Sequence, residues 1–181
     1  MSGIITDNVG RGSGLVKAAG GGGKVLQAFY ASSANQYYTA TNGTSTSDVT
    51  DLTQVITPSS SSNKILLIWT HFIHIARCDL ISASSFVCDF RRAITGGATT
   101  DDLMATAAGS QQYSHQYDGR STGDLPKYYK PVVTKQLLDD PQTTSEITYT
   151  CMFGKYSWGA PTDDGESGVE NGHLTTMEIE G

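Results

Sequence analysis

The chain is poor in charged residues and in the residues that form helices best. Charged residues make up 17% and apolar residues 38% of the 181 positions, and both shares are below those of an average globular domain. Long runs of Ala, Leu, Glu and Lys are missing, while Ser, Thr, Gly and Asn are abundant and favour turns and strands. The composition therefore predicts an all-β domain with one core.

A basic surface is also missing. The formal net charge is −6, and the 12 Lys and Arg residues are scattered, with Arg91–Arg92 as the densest spot. Two arginines do not form a track for phosphates, and nucleic-acid binders usually carry a basic patch. We therefore expect no nucleic-acid partner.

Cysteines are few and unpatterned. The three cysteines, Cys78, Cys88 and Cys151, form no C-x-x-C motif, so neither a disulfide framework nor a zinc site is indicated. Buried free thiols are the expectation, which suits folding in a reducing cytosol.

Segments that would direct the chain to a membrane are not expected. Residues 1–7 have no basic region followed by a long apolar run, as a signal peptide would. The longest apolar stretch, Ile65–Ala76, is interrupted by polar residues and is too short to span a bilayer as a helix. We therefore expect no membrane insertion.

Residues 1–23 form a unit of their own by composition. Its apolar residues are Ile4, Ile5, Val9, Leu15 and Val16, and Gly20–Gly23 follow as a flexible hinge. A segment this short cannot bury a core of its own. We therefore expect an extended or helical arm that docks on a larger particle through these apolar residues.

The glycine run ends in Lys24, which raises the possibility of a phosphate-binding loop. That motif requires Gly at position 18 and Ser or Thr at position 25. The chain has Ala18 and Val25 instead, so nucleotide binding is rejected.

From Lys24 onward, strand-like runs alternate with polar turns. Residues 86–94 and 147–153 alternate apolar and polar side chains, as half-buried strands do. About eight such runs predict an antiparallel β-sandwich of the jelly-roll type over residues 24–181.

The run Lys64–Ile75 is the most apolar, and its spacing also suits a helix. Its β-branched and aromatic residues and the preceding loop favour a strand. Apolar residues on both faces of that strand predict burial by the core on one side and by a neighbouring subunit on the other. Trp69 and Phe72 are the candidate interface residues.

The histidines and the paired aspartates are interpreted as structural residues and not as metal ligands or catalytic groups. His71 and His74 would point to opposite faces of a strand and could not bind one ion. The pairs Asp101–Asp102, Asp139–Asp140 and Asp163–Asp164 are typical of solvated turns and lack the spacing of a dedicated calcium loop. We expect no metal, no cofactor and no enzymatic activity.

Aromatic residues concentrate in two polar segments near residues 109–131 and 156–158. Tyr and Trp among adaptable polar neighbours make good contacts for a protein or glycan partner. Tyr113, Tyr117 and Trp158 are the candidate receptor contacts. The alternative is that these rings pack across strands or between subunits.

Four stretches together resemble putative structural and tail-fibre proteins of marine tailed bacteriophages. They are Gly3–Ala18 (GIITDNVGRGSGLVKA), Val55–Leu66 (VITPSSSSNKIL), Leu138–Tyr149 (LDDPQTTSEITY) and Leu174–Gly181 (LTTMEIEG). The resemblance implies a virion component made in the host cytoplasm, often an appendage or fibre subunit that forms trimers. It brings no catalytic motif.

Such fibres often contain long repetitive shafts, which this chain lacks, so a compact knob, decoration or fibre tip is expected. We predict a homotrimeric tail-fibre or appendage subunit that attaches to a host surface glycan or protein and to other virion proteins through residues 1–23. A capsid decoration or head-fibre protein without a receptor role is the second hypothesis. A glycan-degrading depolymerase ranks last.

Overall fold

The computed structural model describes residues 23–33, 36–39, 46–75, 84–101, 103–104, 112–115, 132–157 and 166–181. Its strands are β1 (Val25–Ser32), β2 (Gln36–Thr39), β3 (Ser47–Ile56), β4 (Lys64–Ile75), β5 (Ser84–Ile94), β6 (Thr99–Thr100), β7 (Gln112–His115), β8 (Val132–Asp139), β9 (Ile147–Ser157) and β10 (Glu166–Ile179). Residues 1–22 lie outside the described part, so the predicted arm stays a prediction.

The strands pair in a nested order. Strand β1 pairs with β10, β3 with β9, β4 with β8, and β5 with β6 and β7, all antiparallel. The chain is thus a long hairpin rolled up so that successive long strands alternate between two sheets. Sheet A has the order β1-β10-β4-β8, with β2 also on β10, and sheet B has the order β3-β9-β5-β6, with β7 also on β5. This order is that of a jelly roll and confirms the predicted β-sandwich.

The core forms where the inward positions of both sheets meet. Along β4, alternate positions from Ile65 to Ile73 are buried, and the positions between them are half-buried or exposed. This period of two identifies β4 as a strand, as predicted. The other large buried apolar residues include Leu52, Ile56, Phe90, Ile147, Tyr149, Phe153 and Leu174.

Strand β10 contains an extra residue opposite β4. The register shifts between Glu170 and His173, and Asn171 has a positive φ of 48°, which asparagine tolerates better than most residues. The next residue, Gly172, is buried and accepts a hydrogen bond from the Ser33 backbone N–H at 2.9 Å. The bulge therefore brings the β10 backbone close to β3 and to the end of β1.

Gly172→Ala is expected to lower the free energy of unfolding by about 1–3 kcal/mol. A Cβ atom at this position would lie 2.6 Å from Leu52 Cδ1 and 2.7 Å from Ser33 Oγ, so neighbouring groups must shift. Urea denaturation measures the change. Asn171→Gly in the same bulge is the control, because glycine adopts the positive φ readily. Equal losses in both variants would contradict the steric explanation.

An ionic cluster joins the two sheets at the end where β8 finishes. The Arg92 Nη1 group of β5 donates to both Asp139 carboxylate oxygens of β8, at 2.8 and 2.9 Å. The Tyr149 hydroxyl of β9 donates to Asp139 Oδ2 at 2.6 Å. Burial, followed by the charge of Asp139, raises the pKa of Tyr149, so its proton stays in place. The aspartate at position 139 is thus a bridge between sheets and not the solvated turn residue that we expected.

A second polar cluster fastens the β3–β4 connection to β10. The buried Glu178 carboxylate accepts hydrogen bonds from the Ser59 backbone N–H at 2.6 Å, from Ser59 Oγ at 2.8 Å and from Asn63 Nδ2 at 2.6 Å. Its other oxygen accepts one from Gln27 Nε2 at 2.5 Å. The serine-rich segment therefore satisfies a buried charge and holds this end of the sandwich in one conformation.

Cys88 and Cys151 are free, buried thiols, as predicted. Burial raises the pKa of Cys88 to about 12 and the pKa of Cys151 well above its ordinary value. Because the thiolate is the reactive form, we expect neither thiol to be alkylated at pH 8 in the native protein. Both should react once the chain is unfolded. Peptide mapping by mass spectrometry after native and denatured alkylation checks this, and native labelling of Cys88 would contradict it.

Candidate functional site: an apolar sheet face and a loop-bearing end

The outer face of sheet A, which points away from the core, carries rows of apolar residues. One row runs across all four long strands through Ala28, Met177, Leu66 and Leu138, which are partners in register. The next row contains Tyr30, Thr175, Ile68 and Gln136. At one end Val25 pairs with Ile179, and at the other end Phe72 pairs with Val132. We call these rows the sheet A face.

The most exposed apolar side chains of the sheet A face lie on its rim. Their exposed fractions are 49% for Val25, 62% for Tyr30, 38% for Phe72, 58% for Val132 and 54% for Leu138. An aromatic side chain has about 150–250 Å² of surface and an aliphatic one has less, so these residues and their half-buried neighbours expose apolar surface on the order of 600 Å². That area is at the upper end of the largest patch on a typical monomer, about 300–600 Å².

Between its two apolar ends, the sheet A face carries polar side chains that contact one another across neighbouring strands. The Tyr30 hydroxyl and His173 Nδ1 are 2.6 Å apart, and their rings stack at a centroid distance of 5.6 Å. Thr70 and Thr134 join β4 and β8 through their hydroxyls at 3.1 Å. These cross-strand pairs fix exposed side chains in place and so give the face a defined shape.

The outer face of sheet B differs because part of it is covered. Asp89 lies on that face, and its Oδ1 atom accepts hydrogen bonds from the backbone N–H groups of Phe90 at 2.7 Å and Met104 at 2.8 Å. Leu103 is buried beside it. Among the described residues of this face, one large hydrophobic side chain is strongly exposed, that of Val55 at 47%. An extensive apolar surface is therefore a property of sheet A.

Several chain connections leave the sandwich at one end. Strand β4 stops at Ile75, which pairs with Ser167 at the start of β10. Strand β5 starts at Ser84, which lies between Ser157 of β9 and His115 of β7. The described chain begins at Gly23, beside Ile179 at the opposite end. The strand ends that flank the connections β4–β5, β7–β8 and β9–β10 thus lie at the end of the sandwich far from residue 23, which we call the loop-bearing end.

The predicted receptor contacts belong to this region by chain position. Tyr113 lies on β7, in register with Phe86 of β5. Tyr117 and Trp158 lie outside the described residues, as do Ile4, Ile5, Val9, Leu15 and Val16 of the predicted docking arm. Their assigned roles stay predictions.

The two predicted interface residues separate. Phe72 lies on the sheet A face, whereas Trp69 is fully buried between the sheets. Positions three apart on a strand point to opposite faces, so Trp69 cannot contact a second subunit in this fold. Trp69 is therefore removed from the predicted interface, and the role of Phe72 stays a prediction.

A histidine and a thiol meet in the interior, next to Trp69. His71 Nε2 lies 3.4 Å from Cys88 Sγ, and the His71 ring stacks on Trp69 at a centroid distance of 4.1 Å. Burial, helped by the charge of Lys135, lowers the pKa of His71 to about 3. The imidazole is therefore neutral and the thiol protonated, which is the opposite of an activated Cys–His nucleophile.

Within the described ranges, no three His, Cys, Asp or Glu side chains are grouped as metal ligands. No helix in that part of the chain is long and apolar enough to cross a membrane.

Sequence reasoning found only part of the sheet A face. It noted that β4 is apolar on both faces, but it did not identify Val25 and Tyr30 of β1, Val132 and Leu138 of β8, or Met177 of β10. These residues alternate with inward residues within short strands, so the outward apolar set becomes visible only once pairing aligns the strands.

No protein-family model matches the chain, and no curated protein matches it. Among solved structures, it is similar to a chain from the structure of infectious bursal disease virus Gt strain, with 9% identity and a TM-score of 0.46 over 83% of this chain. A chain from the Gx strain of the same virus gives 7% identity and a TM-score of 0.46 over 85% of this chain. The matched regions span 32% and 34% of those viral chains.

Proposed function

We propose that the chain is a structural subunit of a bacteriophage virion, a tail-fibre or appendage knob that takes part in attachment to the host. The observation that carries the proposal is that the two ends of the sandwich differ. The predicted docking arm joins the domain at Gly23, beside Ile179, while the β4–β5, β7–β8 and β9–β10 connections leave at the other end. An arm that held the particle would therefore present the loop-bearing end outward.

Two further features support a binding role without catalysis. Tyr113 lies on β7, and Tyr117 and Trp158 belong by chain position to the connections that follow β7 and β9; all three are suited to contacts with a host glycan or protein. Among the described residues, Asp139 is paired with Arg92, and burial keeps the His71 imidazole neutral. Weak contacts of this kind gain strength when several copies act together, which suits a homotrimer.

The test is immunogold electron microscopy of virions with antibodies raised against the purified chain. Label on the tail supports the attachment role. Label on the head supports decoration of the capsid and removes the receptor role. Virions without label would overturn the whole proposal.

Attachment itself is tested by competition. Host cells incubated with the purified full chain should adsorb fewer phage particles, because the chain occupies the receptor. Tyr117→Ala and Trp158→Ala are expected to weaken this competition about 10-fold or more, in line with aromatic hot spots. Val55→Ala on the outer face of sheet B is the control and should compete like the wild type. Undiminished competition by both aromatic variants would exclude these rings as receptor contacts.

A further inference from the structure

We infer that the sheet A face is the contact between copies of this chain, and that its occupant is the same face of a second copy. The inference deepens the proposed function, since it names the surface through which an appendage subunit would assemble. Contact of this face with the same face of one other copy is a twofold contact, whereas in a trimer each face would be divided between two neighbours.

Area is the first argument. Exposed apolar surface on the order of 600 Å² costs free energy in water, at about 25 cal/mol per Å². Two such faces in contact would bury on the order of 1,200 Å², which is the lower end of specific protein–protein interfaces. A second copy therefore matches the size of the face without any partner of another kind.

Charge is the second argument. The chain carries a formal net charge of −6, so two copies repel each other over most approaches. From the Val25–Ile179 pair to the Thr70–Thr134 pair, the rows of the sheet A face carry no Asp or Glu, and the one Lys or Arg in them is Lys64, next to Ile179. Glu170 is in register with Phe72 at the far end of the face, but it is buried. Near the ends of β8 and β10, Asp139 and Glu178 turn inward and are held by Arg92 and by the Ser59–Asn63 segment. Two copies can therefore bring these faces together with little repulsion at the centre.

The edge of the sheet argues for a contact through the face. Strand β8 pairs only with β4 in the described part of sheet A, so it is an edge strand that another chain could extend. Its residue Lys135 points inward and is buried beside Trp69, and burial lowers its pKa. An inward-pointing charge is one of the devices that prevent edge-to-edge pairing. Pairing through the β8 edge is therefore disfavoured, whereas the exposed apolar residues of sheet A favour packing through its face.

Sedimentation velocity of the full chain over a range of concentrations tests the inference. The wild type is expected to be oligomeric. Val132→Lys and Leu138→Lys place an unpaired charge in the contact and are expected to weaken association on the order of 100-fold. The matched control is Val55→Lys, the same substitution at a similarly exposed strand position on sheet B, which should leave association unchanged.

Thermal unfolding followed by circular dichroism verifies that all variants fold, since each replaced side chain is about half exposed. A wild type that stays monomeric at high concentration overturns the inference, and so does equal dissociation by Val55→Lys and Val132→Lys. A monomer that binds a hydrophobic dye only after Leu15→Asp would show that residues 1–22 cover the face instead. Immunogold labelling of virions is independent of these outcomes, so failure of the contact and failure of the proposed function can be told apart.

Discussion

Asp139→Ala is expected to lower the free energy of unfolding by about 3 kcal/mol, the lower end of what removal of one partner of a buried ion pair costs, because this pair is partly buried. The Arg92 side chain is 19% exposed and the Asp139 side chain 11% exposed, so water can replace little of what the carboxylate provides. The guanidinium would keep its charge without a counterion, and its Nε atom is already buried without a hydrogen-bond partner. Tyr149 would lose the acceptor of its hydroxyl as well.

The neighbouring arginine supplies the control. Arg91 follows Phe90 on the opposite face of β5, and its Nη1 atom lies 2.6 Å from Asp48 Oδ1, but the Asp48 side chain is 47% exposed. Asp48→Ala is therefore expected to cost less than about 1 kcal/mol. Urea denaturation of both variants measures the difference. Equal losses would show that burial does not set the value of these pairs.

Tyr149→Phe distinguishes the contribution of the Tyr149 hydroxyl to stability from that of the Arg92–Asp139 ion pair. The Arg92–Asp139 contact stays in place in this variant, and only one hydrogen bond is lost, for an expected cost of about 1 kcal/mol. A loss as large as that of Asp139→Ala would assign the stabilisation to the tyrosine and not to the charge pair.

The strands could be predicted from the sequence, because burial on one face of a sheet requires a period of two. Residues 86–94 and 147–153 show this alternation, and the structure has β5 and β9 there. The short strands β2 and β7 were not predicted, since four residues contain too little alternation to stand out. Their place follows from pairing with β10 and β5, which local sequence does not encode.

The polar clusters could not be predicted, because their members are distant in the chain. Arg92 and Asp139 are separated by 47 positions, and Asn63 and Glu178 by 115. Locally, Asp139 has the appearance of a turn residue next to Asp140 and Pro141. The pairing of β4 with β10 brings Asn63 to Glu178, and the pairing of β4 with β8, with β5 packed opposite in the other sheet, brings Asp139 to Arg92.

The assignment of Trp69 was avoidable. Once the stretch from Lys64 to Ile75 is taken as a strand, residues 69 and 72 must point to opposite faces, so one of them belongs to the core. The size of the two side chains does not decide which one is buried. Trp69 belongs to the core because it lies two and four positions after the buried Leu67 and Ile65 and so points to the same side of the strand. The same parity places Leu66, Ile68 and Phe72 together on the sheet A face.

Glu178→Ala is expected to lower the free energy of unfolding at neutral pH by about 3 kcal/mol, because hydrogen bonds to a charged group contribute about 1.5–3 kcal/mol and their donors would stay buried. The Ser59 backbone N–H and the Asn63 amide lose their acceptor in this variant, and so does the Gln27 amide. Glu180→Ala, at an exposed position two residues later, is the control and should change stability by less than about 0.5 kcal/mol.

The pH dependence of this effect identifies the charge as its source. Burial alone would raise the pKa of Glu178, but the hydrogen bonds from Asn63, Gln27 and Ser59 outweigh it and hold the pKa below its ordinary value of 4.5. A carboxylate with a lowered folded-state pKa contributes stability above its unfolded pKa and loses it as the pH falls through the folded value. The difference in unfolding free energy between wild type and Glu178→Gln should therefore be constant near neutral pH and shrink below pH 4.5. A difference that persists unchanged at acidic pH would mean that shape, and not the negative charge, holds the Ser59–Asn63 segment against β10.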